Sequence, residues 1–245
     1  MTDGTLAPED FADVRRPVAQ ASHAPGTLYA SPDVYRLEVE RMFRRDWLLV
    51  GREEEWPEPG DYRTLRIADE PIVVARGRDG ALRAFYNMCV HRGVQVVDGC
   101  GQAKTFSCPY HGWTYDLEGR LLGAGYMKDS IGFEASRERL RPLRLETWRR
   151  NVFLSFDDAA PPLAEHVAEF EKDFAFLRAE DCRLGNRIEL VLDCNWKFVP
   201  ENLMDFYHVG VLHAEGFLWG DKQGPVAAPL VPSAPLAAPP VQPLR

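Results

Sequence analysis

The 245-residue chain contains no run of about 18 consecutive apolar residues, the length a membrane-crossing helix needs. Its start, Met1 to Pro17, has no apolar stretch of the kind a secretory leader carries, so a cytoplasmic protein is expected. Basic residues are in the minority: 29 Lys and Arg against 37 Asp and Glu leave a net charge of −8. That balance argues against nucleic acid or an anionic membrane surface as a partner. Cysteine is scarce too, with five residues, an odd number and too few for a disulfide framework. There are only six histidines. What remains is ordinary for a globular protein of one or two domains, with 45% hydrophobic and 27% charged residues.

The scarce residues are not scattered. Cys89-Val-His91 is followed after sixteen residues by Cys108-Pro-Tyr-His111, two short clips that each carry one thiol and one imidazole. A Rieske-type [2Fe–2S] cluster needs this donor set, with two Cys on one iron and two His on the other. A Cys₂His₂ zinc site draws on the same donors, but finger spacings pair Cys with Cys and His with His, whereas both clips here are mixed. The flanking residues are specific as well: Asn87 and Arg92-Gly93 around the first clip, and Gly112-Trp113 after the second. On these residues the segment resembles the Rieske domain of ring-hydroxylating (Rieske non-haem iron) oxygenase large subunits. The resemblance implies that Cys89, His91, Cys108 and His111 hold the cluster. Respiratory-chain Rieske proteins add a disulfide between the two cluster loops. The matching positions here are Val94 and Tyr110, so the chain resembles the oxygenase and ferredoxin class instead.

Around the clips the pattern is that of a small antiparallel β unit. Residues 1 to about 27 are polar and rich in Pro and Ala. Ser31-Pro32-Asp33 reads as a helix cap and start, and Tyr35, Val39, Met42 and Phe43 continue at helical spacing, which predicts a helix over 32–45. Short strands are predicted at 47–51, 61–67, 71–76 and 82–87, separated by turns at 59–60 and 79–80. Further strands are predicted near 104–107, 113–116 and 120–122, and two more between Leu143 and Phe156. Gly93, Gly99, Gly101 and Gly112 supply backbone freedom around the clips. Cys100, Cys182 and Cys194 read as small buried residues or plain thiols, and His23 and His166 as surface or structural residues. Pro161-Pro162 opens a helical pattern with a packing face of Leu163, Val167, Phe170, Phe174 and Leu177, and Arg187 to Cys194 alternates as a strand.

A second informative stretch follows: Asn195-Trp196-Lys197, Glu201-Asn202, Asp205, Tyr207-His208 and His213. Asp205 and His208 are three apart and would share a helix face. His208 and His213 are five apart, which a straight helix would rotate away from each other, so Gly210 is expected to end or distort the helix. Pro200 places the helix start near 198. The stretch resembles the mononuclear-iron motif of the same oxygenase family. By that match His208 and His213 ligate an Fe(II), Asp205 links it to the Rieske histidine of a neighbouring subunit, and Asn202 lies beside the iron. Asp205-Phe-Tyr-His208 departs from the Glu-Cys-Tyr-His associated with choline and betaine enzymes, a lean toward aromatic substrates.

The expected class is therefore α+β: an antiparallel β Rieske [2Fe–2S] domain followed by the partial start of a helix-grip (START-like) catalytic domain. The boundaries are an N-terminal segment and helix over 1–45, the Rieske domain over 46–158, the start of the catalytic domain over 159–224, and a tail over 225–245. A two-His-one-carboxylate iron site needs an acid. After His213 only Glu215 and Asp221 are acidic, and neither stands where the family has its ligand. The tail holds seven prolines and no acid or aromatic residue, and reads as disordered. A frame change, a truncated gene product or a Pro-rich linker would each produce it. The resemblance, over residues 28–219, implies a mono- or dioxygenase. Electrons would come from NAD(P)H through a flavin reductase, with or without a ferredoxin, and O₂ would oxidise a small organic, typically aromatic, substrate. A homotrimer or α₃β₃ assembly is the family's arrangement. The alternative is an electron-transfer Rieske protein without the oxygenase reaction, because the third iron ligand and the substrate pocket are missing.

Overall fold

Local signals set the first helix. The Ser31 hydroxyl accepts a hydrogen bond from Val34 N at 3.4 Å, and Pro32 opens the α-helix Pro32–Glu38 at a position where no N–H is needed. This computed structural model of the chain describes residues 6–127 and 129–213, and it divides into two units, one through Leu190 and one from Val191. The predicted helix to residue 45 is shorter than expected: it passes at Val39 into a single π turn that ends at Phe43.

Ten strands are formed by the described residues of the first unit. They are β1 (Leu48–Arg52), β2 (Asp61–Ile67), β3 (Glu70–Arg76), β4 (Leu82–Tyr86), β5 (Cys100–Gln102), β6 (Phe106–Ser107), β7 (Thr114–Tyr115), β8 (Leu121–Gly123), β9 (Pro142–Trp148) and β10 (Asn151–Ser155). One seven-stranded sheet runs in the order β1-β10-β9-β4-β3-β2-β5, and a three-stranded sheet in the order β6-β7-β8. All pairs are antiparallel. The α+β expectation holds, with short helices flanking antiparallel sheets. The sequence pattern missed β5, whose three residues are exposed and carry no apolar alternation.

β3 fixes where the cores lie. Ile72, Val73, Val74 and Ala75 are all fully buried, so this strand is covered on both faces. On one face Val73, Ala75 and Phe85 pack with Cys89, Phe106, Cys108, Trp113, Tyr115 and Leu117, which belong to the clips and the small sheet. On the other, Ile72, Val74, Ala84 and Tyr86 pack with Trp56, Val152 and Leu154. The pleat's period of two divides neighbouring residues between two cores. A third cluster of Trp47, Leu163 and Val167 fastens the helical segment after β10, helped by Trp47 Nε1 donating to Pro161 O at 2.8 Å.

Three sequence expectations need correction. Residues 187–194 form no strand: a strand is held by a partner ladder, and here Ile188, Leu190 and Val191 stand exposed. The packing face after Pro162 is buried only at Leu163 and Val167. Phe170, Phe174 and Leu177 stay largely exposed, the two phenylalanines stacked on each other at 4.4 Å. That segment is tied down by charge instead: Arg149 pairs with both Glu171 and Glu180, and Glu171 also accepts from Trp148 Nε1 at 2.7 Å. Finally, Cys100, Cys182 and Cys194 are all exposed free thiols, which removes the buried option.

In the second unit the helix Phe198–Met204 starts where Pro200 required. It ends at Asp205, whose extended backbone (φ −84°, ψ 99°) takes it off any helix face, so Asp205 and His208 do not share one. A separate single-turn helix, Val209–Leu212, follows, with Gly210 inside it; the break lies at Asp205 and not at the glycine. The acids Glu215 and Asp221 and the proline-rich tail lie outside the described residues.

Gly119 offers a test of the packing. It has φ +82°, and a Cβ there would meet Phe85 Cε1 at 2.5 Å, whereas Gly132 has φ +80° with open space around it. Gly132→Ala is expected to cost about 1 kcal/mol for the left-handed backbone. Gly119→Ala is expected to cost roughly a further 1–3 kcal/mol for overpacking. Urea unfolding midpoints of the two variants check the difference.

Candidate metal centres

The two clips are the same piece of backbone twice. In the first, Cys89 N donates to Val94 O at 2.8 Å and Gly93 N donates to Cys89 O at 2.8 Å. In the second, Cys108 N donates to Trp113 O at 2.8 Å and Gly112 N to Cys108 O at 2.9 Å. Each loop thus closes on its cysteine through the residues four and five positions on. The tight return requires a left-handed residue just before closure, and Gly93 (φ +72°) and Gly112 (φ +70°) provide it. Gly99 is also left-handed, whereas Gly101 adopts ordinary strand geometry and needs no such freedom.

Each clip hangs from the scaffold by its own device. The second bridges β6 and β7. The first follows β4 and is held by Asn87, which is fully buried. Its side-chain amide donates to Val97 O at 2.7 Å and accepts from Val96 N and Val97 N, both at 3.2 Å. Asn87 is therefore a strut for the loop, a use of that residue the motif pattern did not reveal.

The result is a two-layer arrangement. Cys89 and Cys108 are buried in the core, at 2% and 3% exposure. His91 is half-buried and His111 exposed, with their rings 4.7 Å apart. His91 lies parallel to the buried Trp113 indole (4.8 Å, 7°), and Tyr110 covers His111 at 3.8 Å. Burial, and then the neighbouring His111 and Arg92, push the His91 imidazole toward its neutral form. Tyr115 is the supporting residue that sequence reasoning missed. Its fully buried hydroxyl accepts from Val90 N at 3.2 Å and lies 3.1 Å from Cys89 Sγ, within hydrogen-bonding distance of the sulfur. Burial first, and the Cys89 thiol second, raise the phenol's pKa and keep it protonated.

The donor set fits a diiron cluster better than a single ion. Zinc takes its four ligands around one centre, whereas here the two thiols lie in the core and the two imidazoles lie toward the surface. Two thiols buried below and two imidazoles above, with sulfide supplying the remaining contacts, is the Rieske division of ligands.

In the second unit, His208 and His213 sit at the two ends of the single-turn helix, as its caps, with rings 5.4 Å apart. Asp205 reaches His208 through a turn: Tyr207 N donates to Asp205 Oδ1 at 2.7 Å, and Asp205 Oδ2 lies 3.3 Å from His208 Nδ1. The two imidazoles fit as two ligands of an iron, with Asp205 as a partner to one of them. Asn202 is exposed on the preceding helix. A third ligand is absent among the described residues.

Comparison with known proteins gives two adjoining matches. Residues 46–136 match the Rieske [2Fe–2S] domain, and residues 139–228 match the ring hydroxylating alpha subunit (catalytic domain). β9 and β10 fall within the second match yet complete the seven-stranded sheet. The alpha subunit of benzene 1,2-dioxygenase from Pseudomonas putida is 36% identical over 225 residues, covering 87% of this chain and 49% of that protein. The oxygenase subunit of carnitine monooxygenase from Acinetobacter pittii (strain PHEA-2) is 34% identical over 192 residues, covering 77% of this chain and 52% of that protein. A solved quaternary ammonium Rieske monooxygenase superposes with TM-score 0.75 and 32% identity, over 80% of this chain and 56% of that one. The chain spans about half the length of the curated relatives it matches. Among the described residues no helix is long and apolar enough to cross a membrane.

The Asn87 strut gives a direct test. Asn87→Leu keeps the branched shape but leaves the buried Val96 N–H and the half-buried Val97 N–H without their acceptor, and is expected to cost about 2–4 kcal/mol. The loss should appear in thermal unfolding, together with faster amide exchange at Val96 and Val97.

Proposed function

The chain belongs to the family of Rieske ring-hydroxylating oxygenase alpha subunits, and on that premise we propose that it serves in O₂-dependent hydroxylation of a small organic, aromatic substrate. The observation that carries the reading is the pair of matching clips with thiols buried and imidazoles outermost. Cys89, Cys108, His91 and His111 hold a [2Fe–2S] Rieske cluster, and His208 and His213 hold a mononuclear Fe(II). When bound, the cluster supplies storage of one electron at a time and the iron supplies O₂ chemistry. The aromatic assignment rests on Asp205-Phe206-Tyr207-His208, and on likeness to the benzene dioxygenase subunit.

The protein's own groups have distinct tasks. The Tyr115 hydroxyl donates to the Cys89 sulfur and favours its more electron-rich state. Asp205 accepts from His208 Nδ1 and so leaves Nε2 free to ligate, the usual work of a carboxylate behind a metal-binding imidazole. Across subunits, Asp205 also links the iron site to a neighbour's Rieske histidine, and Asn202 stands beside the iron. Electrons come from NAD(P)H through a flavin reductase, with or without a ferredoxin. The assembly is a trimer, alone or with small β subunits, working in the cytoplasm.

The first test is iron, acid-labile sulfide and zinc per chain in protein purified without oxygen. Two sulfides with two irons are expected for the cluster. A third iron marks a completed mononuclear site. Two irons alone leave the electron-transfer function without the oxygenase reaction, and zinc without sulfide overturns the Rieske assignment. In the loaded protein, Tyr115→Phe is expected to lower the reduction potential by some tens of millivolts, about 59 mV being a tenfold change for one electron. Redox titration followed by circular dichroism reads the shift.

A further inference from the structure

Trp113 takes part in both clips at once. Its backbone carbonyl closes the second clip by accepting from Cys108 N at 2.8 Å. Its indole lies flat against His91 of the first clip, with centroids 4.8 Å apart and planes 7° from parallel. The indole is itself immobilised: Trp113 is 4% exposed and packs in the core with Cys89 and Cys108, and Phe133 closes on it at 5.5 Å and 56°. A flat ring fixed in the core leaves a stacked imidazole little freedom to turn about its own axis. His111 is exposed, and the ring against it, Tyr110, is tilted by 34° and itself 58% exposed, so it is not fixed in the core as Trp113 is.

We infer that Trp113 is a positioning residue: it sets the ring plane of His91 and locks the spacing of the two clips, so that the two imidazoles form one rigid and one adaptable ligand. The inference rests on the assignment of the Rieske cluster to these clips. It makes a claim about this chain's own residues that the assignment does not contain. Ring orientation at an iron ligand alters the electronic coupling to the metal, and outer-shell packing controls solvent access and potential. Loss of the indole should therefore be read in the cluster's spectrum and not only in stability.

The experiment compares Trp113→Leu, Trp113→Phe and Leu154→Ala in the full chain, each assayed first for iron and sulfide. Leu154 is fully buried in the core on the other face of β3 and serves as the packing control. In Trp113→Leu the EPR g-values of the reduced cluster should move away from wild type. Its one-electron reduction equilibrium should change at least threefold. Trp113→Phe, which keeps a flat ring, should restore most of both. Leu154→Ala should lower stability and leave both signals in place. Wild-type g-values and potential in Trp113→Leu, or an equal change in Leu154→Ala, would overturn the inference. If Trp113→Leu does not load, Trp113→Met, which keeps bulk without a flat face, is measured against the same outcomes. Absence of sulfide from the wild-type chain would sink the cluster assignment itself, a result distinct from a cluster whose spectrum ignores Trp113.

Discussion

Two backbone hydrogen bonds per loop, from the cysteine N–H outward and back to its carbonyl, determine where the candidate cluster ligands stand. A loop closed that tightly cannot turn its cysteine away from the core. The side chains between the closing residues point to the open side. The division into buried sulfur and outermost nitrogen is thus a property of the peptide frame. Soft anionic ligands are placed where the dielectric is low, and titratable, hydrogen-bonding ligands where a partner can reach them. Asn87 holds the first frame behind β4 of the seven-stranded sheet by a buried side-chain amide, the β6–β7 ladder of the three-stranded sheet holds the second, and the two sheets share one core as a single sheet system.

That sheet system depends in turn on β3. A strand buried on both faces joins two cores, and the clip-bearing layer is one of them. Disturbance at Phe85 or Val73 reaches Cys89 through direct packing, whereas disturbance at Trp56 or Leu154 must pass through the sheet. The helical segment after β10 is held differently, by Trp47 and Leu163 at its start and by Arg149 with two glutamates further on. Its phenylalanines remain largely exposed, so charge and one tryptophan hydrogen bond do what apolar burial does elsewhere.

Much of this was legible in the sequence because metal ligation tolerates so few side chains. Cys89, His91, Cys108 and His111 are separated by spacings that zinc fingers do not use, and the turns at Gly60 and Gly80 marked the strands around them. The longer strands bounded by turn residues, such as β2 and β3, were read to within a residue. The failures have physical causes. β5 is made by pairing with β2 and has no pattern of its own. Residues 187–194 have the pattern but lack a ladder. The approach of His208 to His213 was assigned to Gly210, yet the Asp205 turn ends the helix, because an aspartate side chain can satisfy the backbone N–H two residues on and replace a helical bond. Tyr115 and Asn87 could not be found from motif spacing, since what they do is defined by depth and direction.

The two clips share one frame but place histidine differently: second after the cysteine in one, third in the other. His91 in the first clip therefore corresponds to Tyr110 in the second, and Arg92 to His111. Nothing in the closing hydrogen bonds depends on what those interior positions carry. The backbone acts as a socket, and the ligand set is chosen by which socket positions are filled with imidazole. Metal preference in such a loop can change by single side-chain replacements while the fold stays as it is, and an offset of one residue is enough to keep the two nitrogen ligands from being equivalent.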